Sequence, residues 1–124
     1  MAGPRPLQVA ISGRGPGAPV LMLHGFLGST EDWSGLVGEL SGTRRCLCAE
    51  LPGHGSAGAA SGVTFDGAVA SLQRLIEAQP GNVDLIGYSM GGRIALGAAL
   101  DRPALVRRLV IISATPGLES GREQ

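Results

Sequence analysis

Apolar positions along this chain gather into short runs, and the stretches between them carry helical spacing. Residues 7–12 (LQVAIS) predict a strand, ended by the glycine- and proline-rich GRGPGAP. The run VLMLHG from Val20 is continuously apolar, the pattern of a strand covered on both faces. STEDWSGLVGEL then sets Trp33, Leu36, Val37 and Leu40 at helical spacing, with Ser29 or Thr30 as N-cap and acidic residues in the first turn. TRRCLCAE predicts a third strand, closed by the long loop LPGHGSAGAASG. Thr64 caps a helix to Gln79 that sets Phe65, Val69, Leu72 and Ile76 on one face, and Pro80-Gly81 ends it. NVDLIG is a fourth strand, MGGRIALGAAL a helix stopped by Pro103, and LVRRLVIIS a fifth strand before the turn ATPG.

Strands separated by helices of about 10 to 15 residues imply right-handed crossovers and a mainly parallel sheet. The fold class is therefore α/β, in one domain over residues 1–124, without internal repeats or a linker. GRGPG is a turn and not a dinucleotide loop. A strand follows it, so the helix N-terminus that would hold a pyrophosphate is missing.

Composition narrows the classes further. The 124 residues suffice for one domain with a real core and are too few for two. Apolar residues make up 44% and aromatic residues 3%, so that core is aliphatic and alanine-rich. Ten acidic and ten basic residues balance, and every basic residue is arginine. The absence of lysine excludes both a phosphate loop ending in Gly-Lys-Ser/Thr and a lysine nucleophile. The pairs Arg44–Arg45 and Arg107–Arg108 read as solvated strand starts; without a basic stripe and interleaved aromatics, no nucleic-acid partner is expected. Cys46 and Cys48, two apart on one strand, point the same way and read as small buried hydrophobes in a reducing compartment. The N-terminus lacks the apolar core of a signal peptide. No apolar run approaches the roughly 20 residues of a membrane span. The expectation is a soluble intracellular protein with no membrane partner.

Gly87-Tyr88-Ser89-Met90-Gly91 is the stretch with chemistry in it. A strand leads into it and a helix leaves it at once, so the chain must bend sharply at Ser89 and lift its hydroxyl above the sheet edge. Glycines at both flanks let strand and helix approach without Cβ clashes. Ser89 then stands at a helix N-terminus, where free N–H groups and the dipole favour developing negative charge. Arg93 lies one helical turn on, in a helix otherwise apolar and small. Helical side chains lean toward the N-terminus, so its guanidinium can reach toward Ser89 and make a site for an anionic substrate. An arginine paired to a nearby carboxylate, or extended into solvent, is the alternative that sequence leaves open.

His24-Gly25-Phe26 at the end of the VLMLHG run, taken with the serine motif, resembles the alpha/beta-hydrolase superfamily. In that family a His-Gly loop supplies one oxyanion-hole amide. The resemblance implies that the backbone N–H groups of Phe26 and Met90 hold an oxyanion. It implies structural roles for His24 and for His54 in LPGHG, because the family places its base late in the chain. Glu50 stands where the family usually has aspartate.

Within the superfamily, LHGFLGSTEDW, LPGHG, GYSMGGRIAL and SATPGL together resemble the synthases of 2-succinyl-6-hydroxy-2,4-cyclohexadiene-1-carboxylate, lyases of menaquinone and phylloquinone biosynthesis. The likeness implies proton abstraction with loss of pyruvate from a small substrate bearing several carboxylates. Ser89 is then the base, Arg93 grips a carboxylate, and Tyr88 and Trp33 line the pocket. No metal or organic cofactor is implied, and the compartment is the cytoplasm, or a plastid in a photosynthetic eukaryote.

Serine is a weak base or nucleophile unless a histidine takes its proton. In this fold the order is serine, acid, histidine, yet His24 and His54 both precede Ser89. Asp101, at the far end of the helix that Ser89 starts, lies about 16–18 Å away at 1.5 Å per residue. The sequence therefore reads as the N-terminal half of such an enzyme, expected to show little or no turnover alone. Residues 109–112 would be left as an apolar sheet edge, an aggregation site. Two other readings stand beside it: a fragment of a serine hydrolase acting on esters or thioesters, and a non-catalytic α/β domain binding an anionic metabolite.

Overall fold

The computed structural model describes residues 7–24, 33–50 and 64–112. Five strands form one sheet in the order β1-β3-β2-β4-β5: β1 is Gln8–Ser12, β2 Val20–Leu23, β3 Cys46–Glu50, β4 Val83–Tyr88 and β5 Val106–Ile112. β1 runs antiparallel to β3, and the other pairings are parallel. The expectation of a mainly parallel α/β sheet holds.

Alternation along the central strands explains the layers. Leu21 and Leu23 of β2 join Leu47 and Ala49 of β3 in a cluster with helix α2 (Phe65–Glu77) and helix α3 (Met90–Asp101). Val20, Met22, Cys46 and Cys48 face the other way and pack with Trp33 and with Leu36, Val37 and Leu40 of helix α1 (Ser34–Leu40). A strand covered on both faces has no polar side to show, and β2 and β3 are buried at every position. The chain moves from β2 outward to β3, then across β2 to β4 and on to β5. Right-handed crossovers in opposite directions put α1 on one face and α2 and α3 on the other.

Thr64 caps α2 as its type requires, its hydroxyl accepting from the Gly67 N–H at 2.9 Å. Val69, Leu72 and Ile76 are buried on that helix, but Phe65 is half exposed. It begins the helix, and its ring lies beside Gly97 of α3 instead of over the sheet. α1 begins at Ser34 with Trp33 in the cap position, and the proposed caps Ser29 and Thr30 lie outside the described residues. Cys46 and Cys48 are free thiols, and burial raises both, Cys48 to about 11. Among the described residues no helix is long and apolar enough to cross a membrane. β5 pairs with β4 alone among the described strands, and Val110 and Ile112 on it are exposed.

The arginine pairs differ from the sequence expectation. Asp84, buried at the start of β4, takes Arg44 Nη2 at 2.8 Å and Arg107 Nη2 at 2.6 Å on its Oδ2 atom. Arg44 also donates from Nε and Nη2 to the Ala18 carbonyl. Two of the four arginines are thus structural staples between strand starts, and sequence could not reveal it because the partners are 40 and 23 residues from Asp84. Burial alone would raise the Asp84 carboxyl, but the hydrogen bonds and charges of Arg44 and Arg107 outweigh it and hold the group below its ordinary value.

A depressed folded-state pKa contributes stability above the unfolded-state value, about 3.9, and loses it as pH falls through the folded value. Asp84→Asn should therefore cost roughly 1–3 kcal/mol at neutral pH, scaled down from a fully buried pair because both arginines are partly solvated. Urea denaturation of both proteins from pH 7 to about pH 2 checks this: the gap should begin to narrow below about pH 4 and shrink further as the pH falls through the depressed folded-state value.

Candidate active site

β4 and α3 meet at a single residue. Ser89 has φ 55° and ψ −118° and is the only non-glycine with positive φ among the described residues. An L-residue adopts such a backbone only when its surroundings dictate it. A Cβ on Gly87 would fall 2.6 Å from the Gly92 Cα, and one on Gly91 would fall 2.6 Å from the Leu23 carbonyl oxygen. Strand, bend and helix are pressed together so closely that glycine is required at both flanks, as the motif implied.

Two hydrogen bonds complete the bend. The Ser89 N–H donates to the Ile112 carbonyl at 2.9 Å, and the Ser89 carbonyl accepts from the Arg93 N–H at 3.1 Å. Ile112 was not legible as a site residue. It contributes through its backbone, and only the β4–β5 register, which pairs it with Tyr88, brings it there. The Ser89 side chain makes no capping bond to α3. Its hydroxyl therefore stays out of the cap, at a helix start whose first N–H groups have no partner within the helix. Met90, the first residue of α3, presents one of those amides.

The bend lies at the point where the sheet changes direction. β2 and β4 are neighbours whose following helices, α1 and α3, leave to opposite faces. In open α/β sheets that divergence opens a crevice beyond the strands' C-terminal ends, which is where ligands bind. Ser89 stands on the β4 side and His24, 1% exposed, at the end of β2. Tyr88, Met90 and Ile112, all exposed, surround the bend with apolar surface.

The remaining candidates divide. Arg93 is exposed, and no carboxylate among the described residues pairs with it, which removes the ion-pair alternative within that set. Trp33 is buried beside Met22 and Cys48 on the α1 face, and its Nε1 has no partner among the described residues. Phe26 and His54 lie outside the described residues. Asp101 is engaged by Gln73 at 3.0 Å, at the end of α3 away from Ser89. Among the described residues no group of three histidine, cysteine or acidic side chains could hold a metal.

Comparison with known proteins agrees with this geometry. The alpha/beta hydrolase fold family matches residues 18–124. The chain is 37% identical over 111 residues to the 2-succinyl-6-hydroxy-2,4-cyclohexadiene-1-carboxylate synthase of Escherichia coli O1:K1 / APEC, a match covering 88% of this chain and 44% of the synthase. It is 37% identical over 113 residues to Protein PHYLLO, chloroplastic, of Arabidopsis thaliana, covering 83% of this chain and 7% of that one. Among solved structures, a marine microorganism esterase matches with a TM-score of 0.86 and 26% identity, over 96% of this chain and 46% of the esterase. The chain spans less than half the length of each of these proteins.

The bend yields a direct test. Ser89→Gly relieves the backbone where Ser89→Ala keeps its Cβ, and both remove the hydroxyl. After glycine's extra unfolded-state entropy, Ser89→Gly should be more stable than Ser89→Ala by about 1 kcal/mol. Chemical denaturation measures the difference, and a Ser89→Gly variant less stable than Ser89→Ala by the roughly 0.4–1 kcal/mol of glycine's entropy would mean that no strain is stored there.

Proposed function

Because this chain belongs to the alpha/beta hydrolase fold family, we propose that it is the serine-bearing part of a lyase like the 2-succinyl-6-hydroxy-2,4-cyclohexadiene-1-carboxylate synthases, working in menaquinone or phylloquinone formation. The observation that carries the reading is an uncapped serine hydroxyl at a left-handed bend, one helical turn from an arginine that no described carboxylate neutralises. In this reading Ser89, relieved of its proton by a histidine, takes a proton from the substrate carbon. The electron pair moves through the ring and pyruvate leaves. The amides of Met90 and Phe26 hold the oxygen on which charge develops, and those bonds strengthen as the charge grows. Arg93 grips a substrate carboxylate through charge-assisted bonds, and Tyr88 and Trp33 shape the pocket.

A second reading, a serine hydrolase acting on neutral esters or thioesters, draws on the esterase likeness. The two differ in what they ask of Arg93. A lyase for a multiply charged acid needs that cation for binding; a neutral-ester hydrolase does not.

Calorimetric titration with 2-succinylbenzoate, a stable aromatic dicarboxylate with the same succinyl arm, distinguishes them. The chain should bind it, Arg93→Ala should weaken binding about tenfold or more, and Ser89→Ala should leave it nearly unchanged. Pyruvate release from the synthase substrate should stay near background for these 124 residues. Affinity unchanged in Arg93→Ala would favour the hydrolase.

A further inference from the structure

A second cluster of charge lies at the other end of the sheet, where the parallel strands begin. A cleft of about 810 Å³ opens there, lined by Pro19, Arg44, Arg45, Pro80, Asn82 and Arg107 with the adjoining glycine-rich turns. It stands about 20 Å from Ser89, the length of β4 at roughly 3.3 Å per residue. Among the described residues no acidic side chain lines it, and Asp84 beside it is the carboxylate that Arg44 and Arg107 share. Three arginines against one aspartate leave a formal surplus of two positive charges.

The surplus is held in place by the fold. Arg44 is fixed by its bonds to Ala18 and Asp84 and is partly buried. Arg107 is tied to Asp84 from β5. Arg45 has no side-chain partner among the described residues. A guanidinium carries five N–H donors. Arg44 uses three, Arg107 one and Arg45 none, so most of the donors around the cleft remain unused. Like charges gathered around a partly enclosed space repel more than they would in open water, and an anion among them relieves that repulsion.

We propose that this cleft binds a phosphate dianion, free or as the head group of a phosphate monoester. The surplus of two charges matches a dianion. Arginines arriving from the start of β3 and from β5 approach from different directions, which suits a tetrahedral acceptor better than a planar carboxylate. Bidentate arginine–phosphate pairing supplies the bonds. The cleft is larger than a phosphate ion, and the prolines and Asn82 give an organic group apolar surface and one polar contact.

Titration of the full chain with inorganic phosphate and with glycerol 3-phosphate, at ionic strength held constant with chloride, tests the site. NMR amide shifts should saturate with one equivalent and centre on Gly81, Asn82 and Arg107. Arg107→Ala and Arg45→Ala should each weaken binding roughly tenfold, and Arg93→Ala should not. Arg45→Ala breaks no side-chain hydrogen bond or ion pair among the described residues, so it remains a valid test if Arg107→Ala loses stability. Tighter binding of the ester assigns the rest of the cleft to its organic part, and tighter binding of phosphate assigns it to the free ion. Absence of saturation with both anions, unchanged affinity in Arg45→Ala, or loss of binding in Arg93→Ala would overturn the proposal.

Discussion

The left-handed backbone of Ser89 is the constraint on which the rest of this structure turns. A non-glycine residue there stores on the order of 1–3 kcal/mol, and it persists only where its surroundings over-determine it. Four elements do so here. β4 delivers the chain in register with β5, whose Ile112 carbonyl takes the Ser89 N–H. α3 begins at the next residue, and its first turn closes on the Ser89 carbonyl. Gly91 seats that turn against the backbone of Leu23 at the end of β2. Three strands and a helix therefore converge on one side chain, and the strain keeps its hydroxyl out of the cap position a serine would ordinarily take at a helix start.

β4 carries opposite features at its two ends. At its C-terminal end lie strain and amides without a partner inside the helix, the features of the candidate site. At its N-terminal end lies Asp84, where two guanidiniums cross-link strand starts. Burying a carboxylate without partners would cost several kcal/mol. Two charge-assisted bonds to one oxygen offset much of that, while Oδ1 has no partner among the described residues. The strand is pinned at one end and loaded at the other, the division expected where a rigid scaffold presents a reactive group.

What sequence disclosed follows the range of the interactions involved. The runs VLML and CLCAE are buried at every position, and their apolar content alone declared it. The Thr64 cap and the press of Gly87 against Gly91 and Gly92 are local chemistry, complete within about five residues, and the structure bears out both; the motif also implied Gly91, although what requires it is the distant backbone of Leu23 and His24. The arginines of Asp84 were misread because their meaning depends on sheet order, which places the starts of β3, β4 and β5 side by side. Phe65 was misread for a related reason. Helical spacing aligned it with Val69 and Leu72, but periodicity carries no information about where the sheet beneath a helix ends.

The same distinction between local and long-range requirements separates what this site holds from what it needs. Positioning the hydroxyl and presenting helix amides are backbone properties, and residues 83–112 already contain them. Removing the serine proton is not. It requires an imidazole within about 3 Å, itself oriented by a third group. His24, the one histidine among the described residues, is sealed at the end of β2. In the proposed reading, binding and proton transfer rest on different parts of the fold: anion affinity through Arg93 would exist without turnover, whereas turnover would require a base brought to Ser89 from outside the described residues.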